Sequence, residues 1–297
     1  MNSSIVHFTA QRAGDLIETI NASTADWPHC CPINADLLAY WQNSRPEFRP
    51  KNILMHYIGD RCMGILHGEQ HSDTAHVHLL ALRPDSAAAE TGLALLREWE
   101  HLARQRHLQR LVSGTWRASL YYCGYILGNE PYHPHWSTAG TNAYLRAGFR
   151  ISHPGIILTC KLPRPESVIE RPPSGYEIVE VTPSPEHCAQ PFGFHAMCNG
   201  VKAAHCYARL YPHLLCAPGG KPTGQIGNVT TEPDHRNRGL ARIMVGMSLR
   251  RLAEMGAGES LIATGLDNEP ALRAYERCGF ERRHFIMEWS KSLVSRS

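Results

Sequence analysis

Between Gln225 and Phe280 the spacing of apolar residues switches from the period of a strand to that of a helix and back, and each switch predicts an element. The run Ile226-Gly-Asn-Val-Thr-Thr231 mixes apolar and polar positions as a half-buried strand does, and Glu232-Pro233-Asp234 ends it. After Arg236-Asn-Arg-Gly-Leu-Ala241 the apolar spacing lengthens. Leu240, Ile243, Met244, Met247 and Leu252 recur at helical steps, and Gly256 and Gly258 supply the stop. Leu261-Ile-Ala-Thr264 reads as a short strand. Asn268 then caps a second helix with Pro270 in its first turn, and Gly279-Phe280 closes it.

The first half of the chain follows the same plan. Val77-His-Leu-Leu-Ala-Leu82 runs into Arg83-Pro84-Asp85 as Val229-Thr-Thr231 runs into Glu232-Pro233-Asp234. Gly92-Leu93-Ala94 opens a predicted helix as Gly239-Leu240-Ala241 does, and Tyr144-Leu-Arg-Ala-Gly148-Phe149 echoes Tyr275-Glu-Arg-Cys-Gly279-Phe280. Ahead of this copy the pattern predicts helices over 15–21 and 34–42, the second capped by Asn34, and a hairpin joining 53–58 to 62–67. In the second half, strands over 176–182 and 205–216 flank a short helical stretch at 194–201. Prolines from Pro163 to Gly175 suit an extended linker. The expected architecture is α/β with a mixed sheet, in two tandem domains, 1–162 and 176–297, joined by 163–175.

Composition narrows the setting. A length of 297 residues suits two domains with their own cores, and 43% apolar with 19% charged residues describes a soluble globular chain. No apolar run is long enough to span a membrane, and Met1-Asn-Ser-Ser-Ile-Val-His7 has no basic segment followed by an apolar core, so a cytoplasmic protein is expected. A net charge of +3 is too small to argue for nucleic acid. Ten cysteines without a Cys-x-x-Cys spacing suit reduced, mostly buried thiols. His67, His71, His76 and His78 form the richest of the histidine clusters. They lack a metal-ligand spacing, and His76 and His78 alternate with Val77 and Leu79 as solvent-facing strand residues would, so no metal is expected.

The turn at 236–241 carries the chemistry. A helix N-terminus exposes unpaired N–H groups and the positive end of its dipole, and Gly239 lets the backbone approach a bulky anion or adopt a positive φ. Arg236 and Arg238 add charge beside those amides, which points to a phosphate ligand. In this setting Arg236, Gly239 and Ala241, followed by Asn268, Tyr275, Gly279 and Phe280, resemble the signature of the GNAT superfamily of acyl-CoA-dependent N-acyltransferases over 225–289. The first copy has Ala89-Glu90-Thr91 where the second has Arg236-Asn-Arg238, so Glu90 would repel a pyrophosphate there. The amino-terminal domain is therefore expected to be degenerate, with Tyr144 a packed core or interface tyrosine.

The resemblance implies that acetyl-CoA, without a metal, is held by Val229, Thr230, Thr231, Arg236, Asn237, Arg238, Gly239, Leu240, Ala241 and Asn268. A backbone N–H of the strand 229–231 would then face the carbonyl oxygen, with Gly227 marking a bulge beside it. Tyr275 takes the family's general-acid position. A phenol ordinarily titrates near pKa ~10 against ~8.5 for a thiol, so a hydrogen bond to the departing sulfur suits it as well as full proton transfer. Glu232 and His235 could serve as bases, directly or through water, but suit ordinary surface residues of the turn better, so the base is left unassigned. The implied function is direct transfer of an acetyl group to a primary amine of a small molecule. A non-catalytic acyl-CoA-binding sensor or regulatory module, or a peptide N-acetyltransferase, are the alternatives. The aromatic span from Trp116 to Gly140 (Tyr121, Tyr122, Tyr125, Tyr132 and Trp136 among its members) suits either a core cap or one wall of an acceptor pocket.

Overall fold

The structure is a computed structural model that describes residues 2–44, 48–114, 122, 125, 133–134, 137–163, 171–183 and 189–294. It divides into two compact units, 1–154 with 285–297, and 155–284. The elements in chain order are β1 (Ser3–His7), α1 (Ala13–Thr24), α2 (Ala35–Ser44), β2 (Ile53–Ile58), β3 (Arg61–His71), β4 (Thr74–Leu82), α3 (Ala88–Gln105), β5 (Arg110–Ser113), β6 (His133–Pro134), α4 (Thr138–Arg146) and β7 (Arg150–Lys161). They continue with β8 (Tyr176–Val181), β9 (Gln190–Cys198), β10 (Val201–Tyr211), β11 (Thr223–Thr231), α5 (Leu240–Glu254), β12 (Glu259–Gly265), α6 (Glu269–Arg277) and β13 (Glu281–Ser292).

In the first unit β1 to β4 form antiparallel neighbours and β4 runs parallel to β5. The sheet is then extended by the end of the chain, because Trp289–Ser292 of β13 pairs with Ser113–Arg110 of β5. Trp289 is completely buried there, in the core that Leu66, Trp99 and Tyr144 share. In the second unit β8 to β11 are antiparallel neighbours, and 155–161 of β7 pairs with β12 from Gly265 back to Glu259. Strands β7 and β13 each run from one unit into the other, so the units do not end where the expected domains 1–162 and 176–297 do. The ladder that a strand joins, rather than its place in the sequence, assigns it to a core. Residues 164–170 of the linker lie outside the described residues.

The helix at Asn34 forms as expected, with the Leu37 N–H donating to Asn34 Oδ1 at 2.9 Å. Three local expectations are corrected. The stretch 194–201 is not helical: Phe192, Phe194 and Ala196 are buried at alternate positions of β9, and Asn199-Gly200, with φ of 50° and 78°, makes the tight turn into β10. The strand expected over 205–216 is accordingly 201–211. His78 is not solvent-facing but buried beside His67, with its Nε2 3.2 Å from Glu69 Oε2. Of the aromatic span, Trp116, Tyr121, Tyr132 and Trp136 lie outside the described residues. Tyr122 is buried against Trp41 and its hydroxyl lies 2.8 Å from His67 Nδ1, as a core residue's would.

Burial, and then the neighbouring His78, hold the His67 imidazole well below its ordinary pKa. The unfolded chain takes up a proton near pH ~6.5 that the folded chain refuses, so stability is complete above that pH and lost below it. Urea midpoints measured from pH 7 down to pH 5 should fall, by an amount equivalent to about 1.4 kcal/mol per pH unit for one such proton. His67→Gln should flatten the slope. A midpoint that stays level would contradict it.

Candidate active site

The site begins where β11 leaves its neighbours. On one side β11 pairs in parallel with β12 only from Thr223 to Gln225, although both strands continue beyond. On the other side the register with β10 jumps between His205↔Thr230 and Tyr207↔Gly227, so β11 carries an extra residue. Asn228 takes up that bulge at φ 51°, beside the Gly227 expected to mark it. The Glu232 N–H donates to Ala203 O at 2.9 Å, which aims that residue at β10. Strand alternation then turns the N–H groups of Val229 and Thr231 toward the opened side.

The chain next crosses a short turn at Pro233–His235 and enters α5 through Gly239. Asn237 and Gly239 both have left-handed φ, 60° and 75°, and no side chain caps the helix. The first-turn amides, from Leu240 onward, have no partner within a helix and are directed outward as a concave donor set. A Cβ on Gly239 would meet no protein atom within 4 Å, so the backbone conformation rather than crowding calls for glycine. The guanidinium of Arg238 lies over the ring of Tyr176, 5.9 Å from its centroid, and the Tyr176 hydroxyl is 2.7 Å from His235 Nδ1. Arg236 Nε donates to Thr231 O at 3.2 Å. Buried Leu240, Met244, Leu249 and Leu252 fix α5 to the sheet and so hold its N-terminus in place.

The far wall comes from α6. Asn268 Oδ1 accepts from the Ala271 N–H at 3.4 Å while its Nδ2 donates to Thr264 Oγ1 at 3.1 Å, tying the helix start to the end of β12. Tyr275 is 6% exposed, set in the core beside Phe280 with ring centroids 6.3 Å apart. The Phe280 N–H bonds back to Tyr275 O at 3.1 Å through Gly279 at φ 85°, which closes the helix.

Together these walls enclose a cleft of about 690 Å³. Every residue expected at the site lines it: Val229, Thr230, Thr231, Arg236, Asn237, Arg238, Gly239, Leu240, Ala241, Asn268 and Tyr275. Of the two candidate bases, His235 lines the cleft and Glu232 is not among the lining residues. The sequence reading missed Arg242, Arg273 and Arg277, which bring the lining to five arginines with no carboxylate. The step of four between Arg273 and Arg277 on α6 was the available signal, since it places both on one helical face. Uncapped amides and guanidiniums fit a diphosphate, and of the five Arg273 is already paired, its Nη1 2.8 Å from Glu269 Oε2. Among the described residues no group of His, Cys, Asp or Glu could hold a metal ion.

The first unit lacks this arrangement. Its helix α3 opens at Ala88, a turn before the Gly92 start expected. Gly92 lies inside α3 where an added Cβ would sit 2.8 Å from Ala143 Cβ, so it serves helix packing. Asp85 Oδ1 accepts from the Ala87 N–H at 2.8 Å and occupies the helix mouth with a carboxylate. Glu90 pairs with Arg146, whose Nη2 is 3.1 Å from Glu90 Oε2. Tyr144 is buried, with its hydroxyl 2.7 Å from Ser113 Oγ and its ring stacked on Trp289 at 5.3 Å. It is a packed core tyrosine.

Comparison with known proteins agrees with this geometry. Residues 161–280 match the model of the acetyltransferase (GNAT) family. The chain is 33% identical over 94 residues to a mycothiol acetyltransferase of Catenulispora acidiphila, covering 31% of this chain and 29% of that protein. It is 36% identical over 69 residues to one from Corynebacterium aurimucosum, 23% of each. The chain thus spans less than a third of the length of these curated relatives. Among solved structures it shares its fold with a tandem GNAT protein of the clavulanic acid biosynthesis pathway, at a TM-score of 0.74 and 15% identity over 100% of both chains. A GCN5-related N-acetyltransferase from Sphaerobacter thermophilus gives 0.70 at 15% identity, covering 99% of this chain and 96% of that one.

Proposed function

We propose, from the premise that residues 161–280 are a GNAT-family acetyltransferase domain in a chain with the tandem GNAT fold, that the protein moves an acetyl group from acetyl-CoA to a primary amine of a small molecule. One observation carries the reading. The strand splay at Val229–Thr231, the uncapped α5 mouth and Tyr275 open into one cleft lined by five arginines. The α5 amides with Arg236 and Arg238 hold the diphosphate, and Asn268 holds the pantetheine arm or the start of α6. Acetyl-CoA supplies an acyl group already activated as a thioester. The N–H of Val229 or Thr231 donates to the oxygen on which negative charge develops. Tyr275 donates to the sulfur as the bond to it breaks. Holding an amine against the acyl carbon supplies much of the remaining acceleration.

The small-molecule acceptor is supported by the relatives, which are named mycothiol acetyltransferases. An acyl-CoA sensor would use the same amides and arginines but show no turnover. CoA release from acetyl-CoA, assayed over amines, amino acids, aminoglycosides and peptides, decides between them. Turnover with a small amine is expected. Acetyl-CoA should also raise Tm, since ligand at 100 times its Kd stabilises a protein by about 2.7 kcal/mol. A Tm shift without turnover of any amine would favour the sensor, and no shift at all would remove both readings.

A further inference from the structure

The two units share a rung of their sheets that carries opposite chemistry. Aligning Arg83-Pro84-Asp85 with Glu232-Pro233-Asp234 sets Ala81 against Thr230. In the first unit Met55 pairs with Ile65 and Ile65 with Ala81. All three are fully buried, on the sheet face opposite α3, where α1 packs over β3 and β4. In the second unit the same rung is His195, His205 and Thr230. Only residues 182–189 separate β8 from β9, and among the described residues no helix lies between them. The helices α5 and α6 pack on the other face, against Phe194, Ala204 and Cys206. His195 and His205 are half-buried on this face, where Met55 and Ile65 are fully buried.

The rung is a connected polar surface. His195 Nε2 lies 2.9 Å from the Tyr207 hydroxyl, and the His205 and Tyr207 rings are 5.2 Å apart. His205 Nε2 is 3.4 Å from Oδ1 of Asn228, the bulge residue of β11. An Nε2–H donated to that carbonyl oxygen would leave Nδ1 as the basic nitrogen of His205. His205 is one strand away from Thr230, a spacing of about 4.8 Å, and Thr230 lines the cleft. Tyr275 lines that cleft from the α5–α6 side, and His205 stands behind Thr230, its register partner, one strand back from the lining.

We propose that the amine acceptor docks on this open face and that His205 is the catalytic residue that takes the proton its ammonium must lose. The inference rests on the acyltransfer reading above. His205 Nδ1 accepts the first proton and returns it to solvent. The freed amine forms a bond to the acyl carbon as the carbon–sulfur bond breaks, and the second proton is balanced by the one delivered to sulfur, leaving an amide and a thiol. Asn228 and Tyr207 position His205, and His195 supports Tyr207. The titratable and charged groups facing this pair are Glu177 on β8, His195 on β9, Lys202, Tyr207 and Arg209 on β10, with uncharged Asn228 and Thr230 on β11. Burial, then Lys202 and His205, lower the His195 pKa.

The test is the pH profile of kcat/KM for the best amine, with acetyl-CoA binding followed separately by Tm shift. His205→Gln should lower kcat/KM at least tenfold near neutrality, flatten the acidic limb and leave the acetyl-CoA-induced Tm shift intact. The deficit should shrink as pH approaches the pKa of the amine itself, where no base is needed. Asn228→Asp places a carboxylate beside the imidazole and should move the acidic limb to higher pH. If the wild-type protein turns over while both variants keep its rate and its limb, His205 is not the base. If the wild-type protein turns over no amine, it is the acyltransfer reading that fails.

Discussion

Tyr275→Phe should lower kcat by about 100-fold while acetyl-CoA binds as before, because a general acid at a leaving group is worth about 10²–10⁴-fold. The ring is 6% exposed and set among the apolar residues that fix α6, so phenylalanine keeps the packing and removes only the hydroxyl. The first unit supplies the control. Tyr144 occupies the matching place in Tyr144-x-x-x-Gly148-Phe149, yet its hydroxyl is bonded to Ser113 inside the core. Tyr144→Phe should leave kcat unchanged and destabilise by about 1 kcal/mol, since Ser113 loses a buried partner. Steady-state rates with saturating acetyl-CoA separate the two. Wild-type kcat in Tyr275→Phe would make Tyr275 a packed tyrosine like its counterpart, and the proton for sulfur would have to come from elsewhere.

That contrast also shows what the sequence can reveal. The α5 start was legible because its signals are local: a strand-ending Glu232-Pro233-Asp234, a glycine, then apolar residues at helical spacing. The Asn268 cap and the Gly279 stop were legible for the same reason, and every expected residue opens into the cleft. The strand β9 was not read. Phe192, Phe194 and Ala196 alternate with Gly193 and His195, but the alternation is only three apolar residues long, and the Asn199-Gly200 hairpin turn falls inside the stretch expected to be helical. Strand partners were illegible for a deeper reason. Nothing near Trp289 specifies that β13 joins β5, because pairing is decided by contacts distant in sequence. The His195–His205 rung escaped notice likewise: alternating polar residues on a strand look like a solvated face until the register places them beside a bulge.

Arg236→Ala with Arg238→Ala should weaken acetyl-CoA binding by 100-fold or more while Tm without ligand changes little. Each charge-assisted hydrogen bond from a guanidinium is worth about 1.5–3 kcal/mol, so losing two removes about 3–6 kcal/mol, or 10²–10⁴ in Kd. Both side chains are exposed and neither belongs to the core, which separates the binding loss from unfolding. Gly239→Val attacks the same site through the backbone. At φ 75° an L-residue costs about 1–2 kcal/mol, and the added side chain projects into the space that the donor amides of α5 face. Titration calorimetry distinguishes the contributions: the double arginine variant should show a shallower salt dependence of binding along with lower affinity, whereas Gly239→Val should lose affinity and keep the salt dependence. Unaltered Kd in both would mean that the α5 mouth holds no diphosphate. The cleft would then have to bind through Arg242, Arg273 and Arg277 on its other side.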